Sequence, residues 1–540
     1  MRFPAPNLRF CPCSAPPPMS ASATVRVNIG RQMLQRKTIL SAFAALLMVF
    51  CVPAGVADLP EAFSRPWCTY RTAHFELLTD LPRRRAVAEA KALGRFRTLF
   101  MALFPEARTH TGVPVRMLIV RRAQHFTEVT GTADFAGITV PSLRAYQLLI
   151  GPAQTSPLTD TGRHEYAHYL MRNQTELHYP LWYEEGLASY LSAADLKRNP
   201  VPLGYLDPRV RWGKARPSEV SFEEVVEADS VADWPPQRLT AFYEKAWLMV
   251  HFIRLGHYLD YPDLRPALAR YLAQPESPQP GSGGGPPPPG KGNFASAFAL
   301  TPSGMGALIK DYLRRPRLRN EFVQLPNSEE EAVQAPAQRC LDEAEGRLEL
   351  ARSIVHRNPR LAAKALERHS GGEVDAEWLT VQSEALSAVD YERAMAVIEH
   401  ALELDPSHAG AMAQFAHLKV QRCPLSSHPD CMRNWAEAAM LYRQVRERDP
   451  HRYDVAYGLG VAYLHTGRAE QALDHLRLAH AQMPWAAEAN FYLGEAYRII
   501  GDERAAGHLR KAHSWATDPD WRARAAVALT RLPGASFERR

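Results

Sequence analysis

A chain of 540 residues exceeds what one hydrophobic core usually organises, so two or more domains are expected. Its 46% hydrophobic content is that of an ordinary globular protein. The formal net charge of +6 is carried by Arg2, Arg9, Arg26, Arg31, Arg36 and Lys37, which precede Ala57 with no acid among them. The remainder is therefore neutral, and no basic surface for nucleic acid is expected on it.

In chain order, Arg31, Arg36 and Lys37 lead into the apolar run Ile39 to Val52, followed by Pro53 and Gly55-Val56-Ala57. This predicts a secretory signal peptide over 1–57, with Met19 and Met33 as alternative starts, and a periplasmic or secreted mature protein. A membrane anchor is the rival reading, but the run is shorter than the roughly 20 residues a spanning helix needs, so no stable insertion after cleavage is expected. Cys68, Cys340, Cys423 and Cys431 remain after the leader. In an oxidising compartment Cys423 and Cys431 can close the loop CPLSSHPDC; free buried cysteines are the alternative.

The segments HFELLTD and VRMLIV predict short strands around a helix near Arg84 to Phe104, and AYQLLIG a further strand. Helices then dominate through AFYEKAWLMVHFIRLGHYL, which gives an α+β domain over 58–326. Within it the Pro- and Gly-rich stretch 275–292 cannot pack a core and is expected to be a disordered insertion. The domain boundary is placed near Pro326, before the acidic run Glu329 to Glu331, and 327–374 reads as a degenerate helical pair.

From 375 to 530 the sequence repeats. Gly460, Tyr463, Gly467 and Ala472 recur as Gly494, Tyr497, Gly501 and Ala506, each 34 residues on, and Pro450 recurs as Pro484. This is the tetratricopeptide period, and about four repeats are predicted between Asp375 and Pro519 as an all-α solenoid.

The stretch HEYAHYLMRNQTELHYPLWYEEGLASY, His164 to Tyr190, carries the chemistry. One helical turn separates His164 from His168, so both imidazoles share a face and can bind one metal, with Glu165 beside them as a candidate general base. Two solvated histidines on a surface helix would show the same spacing. Catalytic zinc needs a third ligand, and Gln174 stands where a third histidine follows in the metzincin pattern. A carboxylate from a second helix opened by Pro180 is required instead, and helical periodicity leaves Glu184 and Glu185 both open.

HEYAH followed by WYEEGLASY resembles the gluzincin metallopeptidases, and its second element is similar to the Trp-x-x-Glu-Gly-x-Ala-Ser-Tyr of their aminopeptidase N-like branch. The resemblance implies a zincin-like fold, a zinc ion held by His164, His168 and Glu185, and Glu165 as base. FYEKA, Phe242 to Ala246, resembles that branch's Tyr-x-Lys-Gly stretch, with Ala246 in place of glycine; this implies Tyr243 as an oxyanion donor, while packing on an apolar helical stripe is the plainer role. The branch's Gly-x-Met-x-Asn motif is missing before His164, which argues against trimming from the amino end. AYQLLIGP stands there instead, a candidate edge strand for aligning an extended peptide. Residues 70 to 325 look most like the bacterial peptidase MA-like family, secreted gluzincin domains often coupled to tetratricopeptide repeats.

The expectation is a secreted zinc endopeptidase acting on a peptide or protein, with repeats that recruit the substrate or a protein partner. The alternative is a tetratricopeptide binding protein or scaffold whose zinc domain is structural or inactive. A metal-free pair of core helices is the third reading.

Overall fold

The computed structural model describes residues 59–107, 112–133, 137–152, 161–173, 179–205, 220–228, 230–231, 234–273, 294–326, 336–367, 374–423, 428–516 and 518–532. The expected leader 1–57, the insertion 275–292, Gln174 and the acidic run 329–331 lie outside these residues. No described helix is long and apolar enough to cross a membrane.

The N-terminal part is built on a mixed six-stranded sheet of β1 (Cys68–Arg71), β2 (Glu76–Thr79), β3 (Val115–Ile119), β4 (Gly137–Pro141), β5 (Tyr146–Ile150) and β8 (Ala337–Cys340). The spatial order is β4-β5-β3-β2-β1-β8. β2, β3 and β5 run parallel to one another, while β1, β4 and β8 are antiparallel to their neighbours. β6 (Val201–Leu203) and β7 (Glu321–Val323) form a separate antiparallel pair.

Side chains alternate across this sheet with period two. Leu77, Met117 and Leu148 enter one core with helices α1 (Arg83–Leu103) and α3 (Thr161–Arg172). Leu78, Leu118 and Leu149 enter the other, with α2 (Ala123–Thr130) and the helix Glu343–Ile354. Helix α1 covers its face with a stripe of Ala86, Ala90, Leu93, Phe96 and Phe100, the spacing that 3.6 residues per turn requires.

Two features differ from expectation. The strand within AYQLLIGP is β5, and it is internal, paired with β3 on one side and β4 on the other. The edge is β4, whose sequence GITVP begins and ends on residues that depress strand propensity. Across the boundary expected near Pro326, β8 adds a strand beside β1, and Cys340 is disulfide-bonded to its register partner Cys68. The helical pair expected over 327–374 is Glu343–Ile354 and Pro359–Leu366, and its first member lies against the sheet.

Paired helices follow: Ala376–Ser387 with Tyr391–Leu404, Ala409–Gln421 with Pro429–Arg448, Tyr453–His465 with Ala469–Gln482, Ala487–Ile499 with Arg504–Trp515, then the terminal helix Pro519–Thr530. Gly460 and Gly494 allow each pair to close: a Cβ on them would lie 2.6 Å from Leu476 Cγ and 2.8 Å from Leu509 Cγ. Cys423 and Cys431 are joined by a disulfide at the start of the longer second helix of one pair.

Candidate metal centre

The site is made where α3 meets α4 (Leu181–Ser192). Almost every side chain of α4 from Trp182 through Leu191 is buried, Glu185 excepted, so the helix is packed on all sides and its rotational setting is fixed. Arg163 of α3 donates to the carbonyl of Ala194 at 2.7 Å and ties the two helices together. On the far side lies α6 (Pro236–Leu255), which follows the short α5 (Phe222–Glu227). Gly186 makes that approach possible, because a Cβ there would lie 2.4 Å from the carbonyl oxygen of Ala246.

These contacts bring His164, His168 and Glu185 together. The two Nε2 atoms are 3.2 Å apart, and Glu185 Oε2 lies 3.2 Å from that of His164 and 3.4 Å from that of His168. Tetrahedral ligands bonded to zinc at about 2.0–2.1 Å stand about 3.3 Å from one another, so the donor set and its spacing fit that ion. No other trio of His, Cys, Asp or Glu among the described residues converges in this way.

Glu184 faces elsewhere. Its Oε1 lies 3.0 Å from His168 Nδ1 and accepts from Arg172 Nε at 2.6 Å. With a cation in place of the second proton, the carboxylate would fix the tautomer in which Nε2 ligates. Burial opposes charge throughout this cluster, yet Arg172 and His168 hold Glu184 below the usual carboxylate range. Burial likewise opposes the charge on His168, but Glu185 and Glu184 outweigh it and raise the imidazole to about 10. Such a concentration of negative charge around two imidazoles is what a bound cation neutralises. His164 Nδ1 is buried without a hydrogen-bond partner among the described residues.

Glu165 lies beside the trio and outside it. Its Oε2 accepts from Thr139 Oγ1 at 2.5 Å, so the candidate base is held by the edge strand β4. Backbone and base are close here: a Cβ on Gly137 would lie 2.9 Å from Glu165 Cγ. Tyr243 of α6 meets the ring of His164 edge-on, with centroids 6.2 Å apart. The Glu185 carboxylate, then burial and Glu165, raise its phenol well above the ordinary value, so the hydroxyl remains a donor at neutral pH. All five residues expected at the site are thus brought together. Thr139, Glu184 and Arg172 were not foreseen in these roles, and only the spare carboxylate next to Glu185 left a sign in the sequence.

A tetratricopeptide repeat family model matches residues 432–484, so the repeat is present in the C-terminal region. Among similar solved structures, a thermophilic TPR protein of Thermus thermophilus is 20% identical, with 34% of this chain and 98% of that one covered and a TM-score of 0.30. MamA from Desulfovibrio magneticus is 23% identical, with 31% and 94% covered and a TM-score of 0.24. No curated protein matches the chain.

Proposed function

We propose that the chain is a zinc-dependent peptidase of gluzincin type acting on extended peptides, exported to the periplasm or beyond, with protein-binding repeats. The observation that carries this reading is the spacing of the His164, His168 and Glu185 donor atoms, with the unligated Glu165 next to them.

When bound, zinc supplies Lewis acidity that acidifies water and polarises a carbonyl. Glu165 takes the proton of the attacking water and delivers it to the departing amine, the two transfers a general base and acid must make in peptide hydrolysis. Thr139 orients the carboxylate for both. Tyr243 donates to the oxygen that gains charge as the carbonyl carbon becomes tetrahedral. β4 has a strand partner on one side alone among the described residues, so its outer edge offers backbone groups to an extended substrate.

A second reading is backed more directly by the comparisons. The repeat match supports a protein-binding scaffold in its own right, with the metal centre structural or inactive. Two observations weigh towards chemistry: the trio offers three protein ligands and no fourth among the described residues, and the Glu165 carboxylate adjoins it without belonging to it. Zinc content and peptide hydrolysis of the mature chain, compared with Glu165→Gln, separate the readings. A peptidase keeps its zinc in the variant and loses turnover; a scaffold shows no turnover in either protein.

A further inference from the structure

The repeats are in contact with the N-terminal part of the chain at several places, among them Gly112 N, which donates to Gln482 Oε1 at 2.7 Å, and two of them involve elements that carry the metal centre. The first is the turn between β4 and β5. Ser142 N donates to Ala145 O at 3.0 Å and Ala145 N to Ser142 Oγ at 3.1 Å, which closes a tight turn with Arg144 at its tip. The Arg144 guanidinium reaches three successive repeats: Nη1 is 2.5 Å from Glu384 Oε2, Nη2 donates to Gln414 Oε1 at 3.0 Å, and Nε lies 3.5 Å from Asp454 Oδ2. Each acceptor sits on the first helix of its pair. A planar fork with donors on every side suits three acceptors in a way that an ammonium does not.

The second place is Trp485, 1% exposed, in the turn between Ala469–Gln482 and Ala487–Ile499. Its ring meets Tyr146 edge-on at 5.2 Å and Tyr169 at 5.6 Å. Tyr169 directly follows the ligand His168, and Tyr146 is the register partner of Pro141 in β4.

We infer that the repeats brace the metal centre, with Arg144 and Trp485 as positioning residues that hold β4, and through Thr139 the base Glu165, in register with His164 and His168. This gives the repeats a task besides recruitment, and its catalytic consequence rests on the peptidase reading. β4 is an edge strand, paired with β5 alone among the described residues, so its pairing is prone to fray unless the turn that joins it to β5 is held. Arg144 fixes that turn, and Trp485 fixes the ends of β5 and α3 that face it. A misplacement of about 1 Å between base and reacting atoms lowers a rate by up to about 10².

The test uses the full chain carrying Arg144→Met, Trp485→Ala or the milder Trp485→Phe, with Leu476→Ala as a destabilised control in the core of the repeats. Zinc content, amide exchange across 137–141 and hydrolysis of one peptide are measured on each. The expected result is unchanged zinc, exchange at 137–141 faster by about tenfold, and kcat lower by about tenfold with KM little moved. Arg144→Lys, which keeps the charge, should recover part of both losses. Leu476→Ala should speed exchange in the repeats and leave β4 as it was. Unchanged exchange at β4 in both the Arg144 and Trp485 variants would overturn the brace. A loosened β4 with wild-type kcat would reduce the contacts to structural ones and overturn the positioning role. Absence of hydrolysis by the wild-type chain would instead count against the peptidase reading, and the exchange measurement would still decide whether the repeats hold β4.

Discussion

Glu184 and His168 are joined across the nitrogen that faces away from the trio: Oε1 of Glu184 lies 3.0 Å from Nδ1 of His168, which turns Nε2 towards His164 and Glu185. Adjacent glutamates therefore serve the two nitrogens of one imidazole, Glu185 on the side of the trio and Glu184 behind it. Glu185→Ala should lose most of the bound zinc, because it removes one of three bonds. Glu184→Gln should retain zinc when saturated but bind it about 10 to 100 times more weakly, the usual effect of losing a carboxylate behind a ligating histidine. Competition with a chelator of known affinity measures both. Equal affinity in the two variants would mean that the carboxylates share the work.

The contrast between these residues shows what the sequence disclosed. The i, i+4 spacing of His164 and His168 is local, and 3.6 residues per turn converts it directly into a shared face. The choice of Glu185 over Glu184 depends on how α4 is rotated against α6, which Gly186 and Ala246 determine by close contact, so periodicity alone left it open. Thr139 was missed because β4 is five residues that begin at Gly137 and end at Pro141, and the Ile-Thr-Val between them is too short an alternation to mark a strand. The Cys68–Cys340 bond spans 272 positions, and no local pattern announces a partner so remote. The repeats were legible for the opposite reason, since close helix packing demands small residues at Gly460 and Gly494 and the demand recurs with every unit.

Tyr243 lies close enough to Glu185 for the carboxylate to be the leading cause of its raised phenol. Tyr243→Phe should keep the fold and the zinc while lowering kcat by about 10² to 10³, with little change in KM, because the hydrogen bond strengthens mainly in the transition state. Steady-state kinetics on a chromogenic peptide check this. Unchanged kcat and kcat/KM would assign the ring to packing against Phe242 and His164.

The Cys68–Cys340 bond holds β8 to the sheet, and all of β8 is exposed, so little burial secures the strand without it. A cross-link over so long a loop restricts the unfolded chain strongly, and removing it through Cys68→Ser should cost about 2–4 kcal/mol. The Cys423–Cys431 bond, with a separation of 8, should contribute less. Denaturant midpoints of the two Ser variants give the comparison. Equal losses from both would show that strand attachment and loop length have no bearing on the stabilisation.

His251, at 0% exposure, sits on α6 between two fixed partners: Nε2 donates to the carbonyl of Gly204 at 3.0 Å, and Nδ1 accepts from the Tyr312 hydroxyl at 3.2 Å. Both bonds suit the neutral ring. Burial pushes the imidazole down from 6.5 to about 4, against the opposing influences of the Gly204 carbonyl and the Glu321 carboxylate, itself paired with Arg254. With the folded value below the unfolded one, the contribution is complete above about 6.5 and is lost as pH falls towards about 4, because only the unfolded chain takes up the proton in that window. The separation corresponds to about 3 kcal/mol. His465 and His508, also lowered to about 4 by burial, act in the same window, so total stability does not isolate one residue. The difference between wild type and His251→Gln does. The variant should be the less stable protein at pH 7.5, and the gap should narrow by about 3 kcal/mol between pH 7 and pH 4 in urea melts. A gap that stays constant across that range would mean His251 titrates alike in the folded and unfolded chains, and that the Tyr312 and Gly204 bonds survive its protonation.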